Sequence, residues 1–138
     1  MNGFAVPLVS LASHQLSGRG RGVNVWLSPP GQLMFSVLFR ASYSKPDGPL
    51  PYLPAARLVY VQYLVGIAIV RACQFYLGAD GSKVKLKWPN DIYAVLHQDG
   101  ATKKLKLGGI LISSTFQDGN VSVLIGECFL YLPTFRLT

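Results

Sequence analysis

Residues 83–96 alternate, break and alternate again. Lys83-Val84-Lys85-Leu86-Lys87 has the two-residue period of a strand with one apolar and one basic face. Trp88-Pro89 ends it, because proline has no amide hydrogen to give to a strand ladder. Asn90 and Asp91 follow directly, ahead of a second strand pattern, Ile92-Tyr93-Ala94-Val95-Leu96. The bend presents a carboxylate beside a carboxamide, flanked by lysines. Such a place suits a metal–phosphate complex, although alone it is a weak signal.

The remaining elements fit around this block. Residues 6–12 are apolar and β-branched at several positions, as in a first strand, and residues 32–40 read as another. The three glycines and two arginines of residues 17–22 read as a loop. Residues 42–54, rich in Pro, Gly and Ser, form a connection long enough to be mobile. Residues 55–77 carry apolar positions at helical spacing, with Gly78 as the stop. Strands are then expected over 83–87, 92–97, 105–113 and 121–126. The polar segment 98–104 joins the second to the third, and Gln117-Asp118-Gly119-Asn120 supplies a hairpin turn to the fourth. The order predicts an α+β fold: a mixed, largely antiparallel sheet crossed by one helix. Residues 127–138 lose the strand pattern.

With 138 residues, half of them hydrophobic, the chain suits one packed domain. A formal charge of +7 favours anionic partners. The basic residues concentrate at Arg19/Arg21 and from Lys83 to Lys106 without a long block, which disfavours nucleic acid. Residues 58–77 are mostly apolar but contain Gln62, Arg71 and Gln74, so a buried helix of a soluble domain fits better than a membrane span. Cys73 and Cys128 lie far apart, outside any metal-binding spacing and without a preceding secretory signal. They read as reduced, buried thiols of a cytoplasmic protein.

Each site has a plain reading beside the functional one. Gly18-Arg19-Gly20-Arg21-Gly22 could be a basic surface loop or an RNA-binding RGG-like string; its arginines would equally suit a carboxylate or phosphate. Trp26 is either a core aromatic or a face on which a purine stacks. Lys103 and Lys104 read as guards of an exposed strand. Lys106 differs, because it precedes Gly108-Gly109 and could neutralise charge on a phosphoryl group. His14 and His97 lack partners for a catalytic or metal role, and no triad, P-loop or zinc motif occurs.

Three blocks taken in order, Gln15-x-x-Gly18-Arg19-Gly20-Arg21-x(4)-Trp26-Leu27-Ser28-Pro29, Lys87-Trp88-Pro89-Asn90-Asp91-Ile92-Tyr93 and Lys106-Leu107-Gly108-Gly109-Ile110-Leu111, resemble the catalytic domain of biotin protein ligases. The eukaryotic branch is the nearer one, and the resemblance covers residues 8–126. It implies that biotin and MgATP give biotinyl-5′-AMP, whose acyl group passes to a lysine of a carboxylase acceptor domain. It implies biotin contacts from Gln15, Gly18, Arg19, Arg21, Lys106 and Gly109. It further implies nucleotide contacts from Trp26, Asn90 and Lys106, with Asp91 as the Mg2+ ligand near the incoming amine. Arg21, Lys106 and Asp91 would carry the catalysis. No membrane partner is implied, and the oligomeric state is not readable.

The chain departs from that pattern in places. Val23 stands where a glycine is usual, which stiffens the loop. A Ser/Thr-rich biotin-binding segment is expected before the first strand, and a small domain after the last. The usual Gly-x-Asn-Val-like strand end is replaced by Glu127-Cys128-Phe129-Leu130. The expectation is a partial catalytic domain over 1–126 with a tail outside the family pattern over 127–138, truncated at both ends and poorly soluble. The competing expectations are a non-catalytic biotin- or adenylate-binding module, a degenerate fragment, a lipoate ligase and a basic nucleic-acid binder.

Overall fold

The computed structural model describes residues 7–28, 30–98 and 100–130. Strands β1 (Leu8–Ala12), β4 (Gln32–Ser42), β5 (Val84–Lys87), β6 (Asp91–Gln98), β7 (Ala101–Gln117) and β8 (Asn120–Leu130) form one sheet in the order β1-β4-β8-β7-β6-β5. Every neighbouring pair is antiparallel. A separate hairpin, β2 (Gln15–Arg19) with β3 (Val25–Ser28), stands beside it. Helix α1 (Leu58–Leu77) carries the chain from β4 across to β5. The α+β fold read from the sequence is the fold found.

The two sheet faces do different work. Val121, Val123 and Ile125 of β8 share a face with Ile92 and Ala94 of β6, Val84 of β5 and Ile110 of β7, all buried. Helix α1 covers that face, with Val61, Val65 and Ile69 packed on it. It sits close because Gly66 has no side chain: a Cβ there would come within 2.8 Å of Leu86 Cδ1. The opposite face, which carries Ser36, Gly126, Cys128 and Gly109, is left for the β2–β3 hairpin.

Four expectations need correction. Ser17, Gly18 and Arg19 are not loop but the end of β2, because Gly18 pairs with Trp26 and Arg19 with Val25. Residues 101–104 are not a linker: β6 and β7 pair up to Gln98↔Ala101, so the turn is much tighter. The strand pattern is not lost at 127, because β8 runs to Leu130, laddered to β4 and β7 on both sides. The α1 segment is helical, but it is not a buried helix; only Gly66 and Cys73 in it are buried. Its outer side exposes Val59, Tyr60, Leu64, Ile67, Phe75 and Tyr76. By length and composition alone the helix could also cross a membrane.

The Asp118-Gly119 turn was legible, and both residues take positive φ (50° and 76°), as a two-residue hairpin requires. The expected helix start at 55–57 is a 3-10 turn, and another 3-10 turn, Asp80–Lys83, replaces the first residue of the expected strand at 83. The start of the first expected strand, Val6, and residues 131–138 of the expected tail lie outside the described residues.

Candidate active site

Between the free sheet face and the hairpin lies a cleft of about 860 Å³. Ser10 and Ala12 of β1, Ser36 of β4, Gly126 and Cys128 of β8 and Gly109 of β7 line one side. Gln15, Arg19, Arg21 and Trp26 of the hairpin line the other. Lys87, Asn90, Asp91 and Lys106 line one end. Residues 70 or more positions apart in the sequence therefore meet in one place, which is what an antiparallel sheet capped by a hairpin achieves.

The charged end is tightly organised. Lys106 Nζ lies 2.7 Å from Asp91 Oδ1 and 5.0 Å from the centre of the Trp26 ring, so one ammonium joins a carboxylate to an indole face. Their placement follows from the bulge between Ile92 and Tyr93, which leaves Leu107 buried and turns Lys106 to the cleft side. Arg19 and Arg21 make no ion pair among the described residues. With Lys87 and Lys106 they leave the cleft strongly cationic.

The Trp88–Pro89 bend is held from the helix. Gln62 Nε2 donates to the Pro89 carbonyl at 2.7 Å, and Trp88 Nε1 donates to Tyr63 Oη at 2.7 Å. The Trp88–Pro89 peptide is cis. Asn90 clamps the bend to β7: its Nδ2 donates to the Ile110 carbonyl at 3.1 Å, and its own carbonyl accepts from Ile110 N at 2.9 Å. The carboxamide beside Asp91 is thus first a structural clasp, although it also lines the cleft.

A polar chain ties the hairpin to the sheet beside the cleft. Ser28 Oγ donates to Gln15 Oε1 (3.0 Å) and lies 3.3 Å from Cys128 Sγ, which donates to Gln32 Oε1 at 2.8 Å. These contacts fix the Gln15 side chain at the cleft. Gly18 does not line the cleft; it is the inner contact of the hairpin, and a Cβ there would overlap the Trp26 carbonyl. Gly109 does line it, and a Cβ built there meets no protein atom closer than 3.7 Å. Packing does not require that glycine, so what it provides is free space in the cleft.

Glu127 is the anomaly beside the site. Its cross-strand partners are Phe35 and Ile110, it is 5% exposed, and neither carboxylate oxygen has a hydrogen-bond partner. Burial pushes its carboxyl up to about 9, so it is a neutral acid at pH 7. The Cys73 thiol is pushed up as well, by burial first and then by the charge of Glu127. The second contribution exists only where Glu127 is ionised. Among the described residues no group of three or more His, Cys, Asp or Glu could hold a metal ion. Among the described residues His14 and His97 hydrogen-bond only to Ser13 and Thr102, and both are exposed.

Sequence reasoning singled out Gln15, Gly18, Arg19, Arg21, Trp26, Asn90, Asp91, Lys106 and Gly109, and all but Gly18 line the one cleft. It missed Ser28, Gln32 and Cys128, whose roles depend on which side chains β3, β4 and β8 bring together. It also missed Gln62 and Tyr63, which look like ordinary polar positions on a helix. Lys87 had a signal, since it opens the Trp88-Pro89 break on the same strand face as Lys85.

Comparison with known proteins agrees with this geometry. A family model described as the biotin/lipoate A/B protein ligase family matches residues 2–128. The human biotin–protein ligase is 34% identical over 119 residues, which is 86% of this chain and 14% of that protein. The Schizosaccharomyces pombe biotin–protein ligase is 32% identical over 129 residues, 90% of this chain and 19% of that one. The crystal structure of the Leishmania major biotin protein ligase in complex with biotinyl-5-AMP superposes with a TM-score of 0.64 at 26% identity, over 91% of this chain and 47% of that one. The chain therefore spans a minor part of the length of these relatives. A match from residue 2 to residue 128, carried by a cleft with the expected residues, leaves one conclusion: the chain belongs to the biotin/lipoate A/B protein ligase family.

Proposed function

We propose that the chain carries biotin–protein ligase chemistry: activation of biotin by ATP to biotinyl-5′-AMP, then acyl transfer to a lysine of a carboxylase acceptor domain. The observation that carries this reading is the meeting of Arg19, Arg21 and Lys106 with Asp91 and the Trp26 ring in one cleft. In the first step a biotin carboxylate oxygen attacks the α-phosphorus. The bond from that phosphorus to the bridging oxygen breaks, and pyrophosphate leaves with the electron pair. Negative charge gathers on the phosphoryl oxygens, so fixed cations are the main requirement and no enzyme nucleophile is needed. Arg19 and Arg21 offer forked donors to carboxylate and phosphate. Lys106 exchanges its Asp91 contact for the α-phosphate.

The Trp26 face holds the adenine, Gln15 hydrogen-bonds biotin, and the bare strand at Gly109 lets the ligand lie against the backbone. Mg2+ is commonly held by one or two carboxylates together with substrate phosphates. Among the described residues Asp91 is the carboxylate that meets Lys106 in the cleft, so the donor set fits a metal arriving with ATP rather than a protein cage. When bound, that ion supplies neutralisation of the phosphate charge. In the second step a neutral lysine amine attacks the acyl carbon, AMP leaves, and Asp91 orients the amine and receives its proton.

Calorimetry with biotin, with and without MgATP, followed by mass spectrometry for biotinyl-AMP, tests this. The expected result is biotin binding and an adenylate product. Biotin binding without adenylate would assign the chain to a non-catalytic binding module. Absence of biotin binding would sink the reading.

A further inference from the structure

The cleft has a basic apron that the adenylation chemistry does not use. Cross-strand register places Lys85 opposite Tyr93, and Tyr93 opposite Lys106; Lys87 stands opposite Asp91, and Asp91 opposite Gly109. Lys87 Nζ lies 5.2 Å over the Tyr93 ring and Lys106 reaches Asp91, which fixes these rows to the cleft face. One row further out, Lys104 stands opposite Val95 on the same face. Strands lie ~4.8 Å apart, so Lys85 and Lys106 stand roughly 10 Å from one another across the sheet. The only carboxylate in these rows, Asp91, is already paired. Lys85 and Lys104 are exposed, do not line the cleft, and make no ion pair among the described residues. At the end of the strand that carries Lys85 and Lys87, Trp88 is 73% exposed, yet its indole is tied to Tyr63.

We propose that this apron, Lys85 and Lys104 with the Trp88 ring at its edge, is the docking surface for an acidic face of the protein domain that presents the acceptor lysine. The inference rests on the ligase reading, because it needs a protein to bring an amine to this cleft. A lysine ammonium approaching a cleft already lined by Arg19, Arg21, Lys87 and Lys106 meets like charge. Carboxylates flanking that lysine on its own domain offset the repulsion and steer the encounter. A small phosphate ligand has no use for Lys85 or Lys104, which lie outside the cleft. A fixed, exposed aromatic ring at the end of a basic strand has the composition of an interface anchor.

The test titrates the full chain with an unmodified biotin-acceptor domain of a carboxylase, followed by NMR or calorimetry at low and high salt. A Lys85→Glu/Lys104→Glu variant is compared with the native chain, and a Lys85→Gln/Lys104→Gln variant serves if charge reversal disturbs folding. The native chain is expected to bind, and to weaken as salt rises toward a Debye length of about 8 Å. Charge reversal should weaken binding at least tenfold and leave the affinity for biotinyl-AMP unchanged. Equal binding by native and variant chains would overturn the proposal, as would no binding by either. Apron-dependent binding of a polynucleotide in place of the acceptor domain would overturn it too. Failure of the ligase reading is distinguishable, since it appears as lost biotin or adenylate binding on the same samples, whatever the acceptor does.

Discussion

At Glu127 a single side chain sets a pH dependence. The native state holds its proton up to about pH 9, whereas an unfolded glutamate releases it near the ordinary carboxyl value of 4.5. Between those values the folded chain binds more protons than the unfolded one, so stability is full below the lower value and falls as pH rises. The slope from this group is about 1.4 kcal/mol per pH unit. Denaturant unfolding at two pH values ~2 units apart inside that window should therefore show a loss of roughly 3 kcal/mol that Glu127→Gln abolishes. A native chain with the same pH profile as the variant would refute the burial argument. Gly109 makes the opposite kind of prediction, about ligand rather than fold. Its Cβ would touch nothing closer than 3.7 Å, so Gly109→Val should change stability by about 0.5 kcal/mol or less. The added methyls would stand in the cleft, and biotin affinity should drop by at least a factor of ~10 in calorimetry, since a clash costs on the order of 1–3 kcal/mol.

Between elements, what matters is how the end of α1 meets the following turn and how its middle holds the Trp88–Pro89 bend. Gly81 packs directly on the last turns of the helix: a Cβ there would overlap the Cys73 carbonyl and come within 2.6 Å of the Gln74 Cα. Those are backbone atoms, which cannot swing aside as a side chain can. Gly81→Ala should therefore cost about 1–3 kcal/mol in thermal or denaturant unfolding, the range for overpacking, despite the modest change in size. A variant as stable as the native chain would mean that the turn and helix do not meet this way. The elements themselves were largely legible, for reasons that differ by place. The block from Val84 to Leu96 announced itself because a period of two, a proline break and a period of two again leave few alternatives. Ser17–Arg19 was misread because glycines suggested a loop, whereas Gly18 is needed inside a hairpin where no Cβ fits. The stretch 127–130 was misread because Glu127-Cys128-Phe129-Leu130 replaces the usual strand end and loses the strand pattern. Its backbone is laddered on both sides, and tertiary pairing outweighs one unfavourable side chain.

For the whole molecule, the two sheet faces are finished to different degrees, and this decides how the chain behaves in solution. One face is covered by α1 and the other is partly roofed by the hairpin, but neither covering layer has an outer partner among the described residues. Leu64, Phe75 and Tyr76 on α1 are 64%, 79% and 81% exposed, and Leu16 and Leu27 on the hairpin are 94% and 83% exposed. Strand β1 is exposed along its whole length and, among the described residues, pairs only with β4, so this edge of the sheet has no partner there. Soluble monomers rarely show contiguous apolar patches beyond a few hundred Å², and an open apolar edge invites pairing. The site could be read from sequence because its chemistry needs particular residues; these surfaces could not, because periodicity says which positions are apolar but not what covers them. Concentration-dependent association is therefore expected in sedimentation velocity, at ionic strengths where the net charge of +7 is screened. Leu64→Lys with Phe75→Glu should shift the distribution toward monomer and leave biotin binding as it was, since neither residue lines the cleft. If the native chain is monomeric at high concentration with one sharp unfolding transition, the apolar outer layer does not drive association. If the α1 variant associates as strongly as the native chain, the contact lies elsewhere, with the β1 edge the next surface to test.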